Sequence, residues 1–258
     1  MIALVLATVA LTTCIAAESV GVWPPPRSSF VPALSVLNVR LAGFAISDSS
    51  SDEGSARLAR GVARFNSRLF ATPMSNQGGK ANTVIARVTV GSASERLSDS
   101  TDYSYSITVS DSGDVTLVAA SIYGALYAME STLQAASARG GLLPVGLRID
   151  DAPELAWRGL MLDAGRRFFP VSLIHNQLDV MAAAKLNVLH LHASDECRWG
   201  VESKLFPVLT TSLTGSRAGF YTQADVADIV AYAGDRGIRV VPEFDVPGHT
   251  HGMVRHEC

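Results

Sequence analysis

The stretch "HLHASDECRW", residues 190–199, gathers two histidines, two adjacent carboxylates, a cysteine and a tryptophan. Imidazoles exchange protons near neutral pH and ligate metals. A neighbouring carboxylate can serve as an acid, a base or a nucleophile. Asp195 and Glu196 therefore admit two readings: both reach one cleft just past a strand end, or one of them is a solvated loop residue. His190 and His192, at i and i+2 of a strand, share one face. They could ligate a metal on a barrel strand, or His190 is a hydrogen-bonded interior residue and His192 part of a polar pocket.

Two further stretches carry comparable chemistry. "PEFDVPGHTHG", residues 242–252, places His249 beyond a Pro-Gly turn that follows Glu243 and Asp245. A histidine held near a carboxylate can orient or polarise an acid; the plainer reading is a capped loop with a surface histidine. His251 and His256 are assigned to solvent. "LDAGRRFF" sets Arg166 and Arg167 directly after a strand ending at Asp163. Such arginines could grip polar ligand groups through fixed donors, or one could be salt-bridged to a barrel carboxylate. Arg167 is assigned a structural or surface role.

The elements that must position these residues alternate. "GLMLD" reads as a strand, "VSLIHNQLDVMAAAKL" as a helix and "NVLHLH" as a strand. "TQADVADIVAYAGDRG" reads as a helix capped by Thr222, and "IRVVPEF" as the next strand. This order predicts a parallel sheet or barrel, with polar residues collected at the C-terminal ends of the strands, where a TIM barrel keeps its active face. The doubly wound alternative lacks a glycine-rich phosphate loop.

Upstream, residues 20 to 148 read as strand, helix, strand, strand, strand, helix, a small α+β layer. Leu58, Val62, Phe65 and Leu69 fall at helical spacing. Asp111 to Asp114 supplies the turn of a hairpin. The proline run in "VWPPPRSSF" can continue neither a helix nor a central strand.

Composition narrows the function classes. With 258 residues, 48% hydrophobic and 17% charged, the chain can bury a sizeable core. A net charge of −3 with no Lys/Arg block gives no footprint for nucleic acid or an anionic membrane surface. Ile2 to Ala17 are apolar, uncharged and end in small residues, so residues 1–17 are expected to be a cleaved signal peptide, with an uncleaved anchor as the rival reading. Cys14 would leave with it. Cys197 and Cys258 form neither a disulfide framework nor a CxxC zinc pattern, and the chain has no Asn-x-Ser/Thr sequon.

"WRGLMLDAGRRFFP", "KLNVLHLHASDECRW" and "YTQADVADIVAYAGDRGIRVVPEFDVPGHT" together resemble the family 20 glycoside hydrolases, the β-N-acetylhexosaminidases, in order and spacing. "SYSITVS", "GALYAMESTLQ" and the junction "IDDAPELAWRGL" resemble that family's accessory domain. The resemblance covers residues 22 to 252. It implies an α+β accessory domain at 20–150, followed at 155–258 by an incomplete α/β barrel of the (β/α)8 TIM type, with about its first three strands. It also implies hydrolysis of terminal N-acetylglucosamine or N-acetylgalactosamine from oligosaccharides or glycoconjugates, with no cofactor and no metal. A homodimer of the longer enzyme and a secreted or lysosomal location belong to the same expectation.

In that family the substrate's acetamido oxygen attacks the anomeric carbon, an exception to the two-carboxylate scheme. A glutamate protonates the leaving oxygen, and the aspartate before it orients the acetamido group in an H-x-G-G-D-E context on the fourth strand. By resemblance, Arg166 holds sugar hydroxyls, while Asp195 and His249 support the acid. Glu196 stands where a second aspartate is usual, Gly165 where serine is common and Arg167 where histidine is common. No Gly-Gly-Asp-Glu occurs in the 258 residues, and a barrel of about 250 residues begun near Trp157 would need roughly 150 more. The sequence is therefore expected to be the N-terminal portion of a longer enzyme, inactive alone. The alternatives are a non-catalytic carbohydrate-binding or interaction fragment, and a metal-dependent hydrolase using His190 and His192.

Overall fold

The structure, a computed structural model, describes residues 20–32, 37–47, 55–71, 81–196, 198–211 and 219–250. The expected signal peptide, the three cysteines, His251 and His256 lie outside the described residues.

The first unit contains β1 (Ser28–Phe30), β2 (Asn38–Ile46), α1 (Ala56–Ala71), β3 (Asn82–Val90), β4 (Tyr105–Val109), β5 (Val115–Ala119), α2 (Ile122–Ser137), β6 (Leu142–Pro144) and β7 (Arg148–Asp151). Its seven strands run β1-β7-β4-β5-β3-β2-β6 in one mixed sheet. The expected order is present as β2-α1-β3-β4-β5-α2, and the structure adds the short strands β1, β6 and β7. β1, just after the prolines, lies at a sheet edge, where missing N–H donors cost no ladder bonds.

Alternation explains the core. On β4 and β5, Ile107, Val109, Val115 and Leu117 are all buried, so one sheet face is covered. α1 lays Leu58, Phe65 and Leu69 into the same core. α2 begins at Ser121, whose hydroxyl accepts from Tyr123 N and Gly124 N, satisfying donors that helix geometry orphans. α2 is buried almost all round, with sheet on one side and the second unit on the other. Gly124 permits that closeness, because a Cβ there would lie 2.5 Å from the Ser104 carbonyl oxygen.

The second unit contains β8 (Gly159–Asp163), α3 (Val171–Ala183), β9 (Val188–His192), β10 (Ser194–Asp195), β11 (Arg198–Trp199), α4 (Val208–Thr211), α5 (Gln223–Gly234) and β12 (Arg239–Glu243). β12, β9 and β8 form a parallel three-stranded sheet, and β10 pairs with β11 as a separate antiparallel ribbon. This is a short piece of parallel sheet with the strand-helix alternation of a barrel. α5 starts with the capping box of Thr222 and Asp225, two reciprocal bonds at the orphaned N–H groups. Leu189 and Leu191 pack with Ile174, Leu178 and Met181 of α3 and with Ile229 of α5. Burying each leucine or isoleucine stabilises by about 1.5–3 kcal/mol over exposure.

The two units are fastened by polar contacts. Asp235, the C-cap of α5, accepts from Arg57 Nε at 3.2 Å and from Arg60 Nε and Nη2, each at 2.7 Å. Tyr103 donates to the Gly237 carbonyl and Tyr127 to the Lys185 carbonyl. Arg60 holds the Asp235 carboxyl below its ordinary range, against the opposing effect of burial. A folded-state depression stabilises above the unfolded pKa and is lost as pH falls through the folded one. Asp235→Asn is therefore expected to cost about 1–2 kcal/mol at pH 7, discounted for the exposed Arg60. Urea titration should show wild type and variant converging below about pH 4.

Candidate active site

Parallel register builds the site. Asp163 pairs with His192, and His192 with Glu243, so three polar side chains stand in one row at the C-terminal ends of β8, β9 and β12. The leucines between them face the helices, leaving this row on the opposite face.

Glu243 joins the two histidines. Its Oε2 lies 2.5 Å from His190 Nε2 and 3.0 Å from His192 Nδ1, and these bonds hold the carboxyl below its usual range. His190 is thus a hydrogen-bonded residue of the inner face and His192 part of a polar pocket. Glu243 thus occupies one ring nitrogen of each histidine.

Arg166, Asp195 and His249 come together above this row. Arg166 donates from its backbone to Asp163 Oδ1 at 3.0 Å and from Nη1 to Asp163 Oδ2 at 2.6 Å. Burial pushes Asp163 up, but the Arg166 donors outweigh it and hold the carboxyl low. Arg166 Nη2 lies 3.0 Å from Asp195 Oδ2, a charge contact, and 3.5 Å from His249 Nε2. The salt-bridge reading of the arginine therefore holds, and its side chain stays 55% exposed, open to a ligand as well. His249 Nδ1 is 2.6 Å from Asp245 Oδ2, so the histidine is a member of the cluster. His249 adopts φ +55, a left-handed conformation uncommon outside glycine, on the loop beyond β12.

Glu196 separates from Asp195. Asp195 is partly buried in the ribbon β10, whereas Glu196 is exposed at its turn. Arg167 is exposed.

Residues 155–257 match the family model "Glycosyl hydrolase family 20, catalytic domain", and residues 22–135 match "beta-acetyl hexosaminidase like". The chain belongs to glycosyl hydrolase family 20. It is 33% identical over 198 residues to beta-hexosaminidase subunit A1 of Dictyostelium discoideum, covering 76% of this chain and 37% of that one. It is 33% identical over 244 residues to the mouse (Mus musculus) beta-hexosaminidase subunit beta, covering 89% of this chain and 45% of the relative. Among solved structures, a Flavobacterium johnsoniae chitobiase superposes with TM-score 0.74 at 30% identity, over 92% of this chain and 36% of the other. A Vibrio harveyi exo beta-N-acetylglucosaminidase in complex with N-acetylglucosamine gives TM-score 0.69 at 25% identity, over 93% and 38%. The chain thus spans less than half the length of each of these relatives.

Two supports of this family 20 site escaped the sequence reading. The Arg198 guanidinium is buried and donates to the carbonyls of Ala164 and Gly219, tying the loop that leads to Arg166 to the ribbon that carries Asp195. Backbone acceptors have no residue signature, so no motif announces the contact. Ser194 Oγ accepts from Asp245 N at 3.0 Å, fastening the third loop to the ribbon. Gly165 is explained as well: a Cβ there would lie 2.5 Å from the Ser194 carbonyl oxygen. The ribbon occupies the place of a side chain.

Proposed function

We propose that the chain supplies the accessory domain and the first barrel strands of a β-N-acetylhexosaminidase of the secretory pathway. That enzyme removes terminal non-reducing N-acetylglucosamine or N-acetylgalactosamine from oligosaccharides or glycoconjugates, with retention. The observation that carries the reading is the convergence of Arg166, Asp195 and His249 over one row of strand ends.

Each group has a chemical task. Arg166 keeps Asp163 with one part of its fork and has an exposed arm able to donate to sugar hydroxyls. Asp195 and the Asp245-held imidazole of His249 lie beside that arm and orient and tune the general acid. The acid protonates the departing glycosidic oxygen while the acetamido oxygen of the sugar bonds to the anomeric carbon. Water then opens that cyclic intermediate and restores the acetamido group. The acid and its orienting aspartate, expected in Gly-Gly-Asp-Glu, are not among the 258 residues. Glu196, exposed at the ribbon turn, does not replace them.

The 258-residue chain alone is expected to give no turnover of a chromogenic N-acetylglucosaminide. Substantial activity would remove the assigned need for a separate acid. Transcript sequence past the Cys258 codon is expected to encode Gly-Gly-Asp-Glu; a stop codon there favours the non-catalytic fragment.

A further inference from the structure

A cavity of about 470 Å³ lies between the two units, walled by α1, α2, α3 and Arg236 just past α5. Its lining shares no residue with the strand-end site. The volume falls in the range of cavities that take small organic ligands.

The charges in the wall do not balance. Three guanidiniums, of Arg64, Arg68 and Arg236, face two carboxylates, of Glu130 and Asp179. Both carboxylates are already occupied. Glu130 accepts from both Arg68 Nη atoms and from Gln134 Nε2. Asp179 accepts from Arg236 Nε at 2.5 Å and from the Tyr232 hydroxyl at 2.9 Å. Arg64 is the cation left over. Its Nη2 donates to the Asp235 carbonyl at 3.0 Å, while the Asp235 carboxylate is held by Arg57 and Arg60. Arg64 Nε and Nη1 and Arg236 Nη2 make no hydrogen bond among the described residues. Burial, and then the charge of Arg236, pull the Arg64 pKa down to about 10. Two partly desolvated guanidiniums therefore repel each other while keeping donors to spare.

The rest of the wall is apolar. Phe65 and Leu126 add buried side chains, and Val180, 63% exposed, stands at the rim. One excess positive charge beside an apolar wall matches a monoanion with an apolar body. A planar carboxylate fits the guanidinium fork. A phosphate dianion would exceed the charge and crowd oxygens against Glu130 and Asp179.

We propose that this cavity binds a small organic carboxylate, its oxygens on Arg64 and Arg236 and its apolar body against Phe65, Leu126 and Val180. Such an occupant touches both units and clamps one to the other. The site is independent of the glycosidase reading.

Isothermal titration of the 258-residue chain with sodium benzoate is expected to show one saturable site. Benzyl alcohol keeps the ring without the charge, and inorganic phosphate has no ring; each should bind about tenfold or more weaker. Arg64→Gln should weaken benzoate binding by about tenfold or more. Val180→Trp should weaken it as well by filling the mouth from an exposed position, which separates the effect from any folding defect in Arg64→Gln. Arg96→Gln, at an exposed arginine outside the cavity, should bind as wild type. No benzoate site, equal binding of the alcohol or of phosphate, full binding in Arg64→Gln or Val180→Trp, or loss in Arg96→Gln would each overturn the proposal.

Discussion

Asp151→Ala is expected to destabilise the fold by about 3–5 kcal/mol, read as a lower urea midpoint. Asp151 ends β7 in the accessory unit, while Lys185 follows α3 in the barrel unit, and the two meet at 3.1 Å with side chains 11% and 5% exposed. Tyr105 completes the group: its hydroxyl is 2.7 Å from Asp151 Oδ2 and 2.6 Å from Ser131 Oγ, and accepts from Lys185 Nζ at 2.8 Å. Burial opposes a charge on Asp151, but the Tyr105 and Lys185 donors overcome it and keep the carboxyl below its ordinary range. Removing the carboxylate leaves a desolvated ammonium without a counter-charge, the costly half of a broken buried pair. Replacing both partners restores an apolar contact instead. Asp151→Leu with Lys185→Met should therefore recover most of the loss, and a double variant no more stable than Asp151→Ala would refute the pairing.

In an enzyme containing this chain, Arg166→Ala should raise KM and Asp195→Asn should lower kcat. A hydrogen bond to a charged group contributes about 1.5–3 kcal/mol, or roughly 10–150-fold. Under the proposed function the two effects are predicted to fall on different constants, with Arg166 assigned to the sugar in ground and transition states alike and Asp195 assigned to act through the acid. The residues touch at 3.0 Å, so the double variant should fall short of the summed losses. Steady-state kinetics on a terminal N-acetylglucosaminide test both. Unchanged constants in both single variants would mean that neither residue has the assigned role.

Much of this was legible in the sequence because one period dominates each element. Leu189 and Leu191 alternate with His190 and His192, and that alternation alone separates the helix-facing side of β9 from its inner face. Thr222 announced the start of α5, and the structure adds Asp225 as its capping-box partner. What escaped reading depends on partners distant in sequence. Lys185 and Asp151 are 34 positions apart and follow no periodic pattern. β6 and β7 have three and four residues, too few to display alternation. The separation of Asp195 from Glu196 was foreseeable only as a possibility. A two-residue ribbon sends neighbours to different environments, and its formation rests on the buried Arg198 and on Gly165 rather than on the pair itself.

The contacts between the units also have a direction in time. Chains are made from the N-terminus and domains generally fold as units in that order. Arg57, Arg60, Tyr103 and Tyr127 are all synthesised before Lys185, Asp235 and Gly237, the residues whose groups they hold. When β8 and β9 emerge, a finished face of arginines and tyrosines already exists beside them. An incomplete parallel sheet has unpaired edges that invite association with other chains. The accessory half of each of these contacts thus lies earlier in the polypeptide than the barrel half it meets.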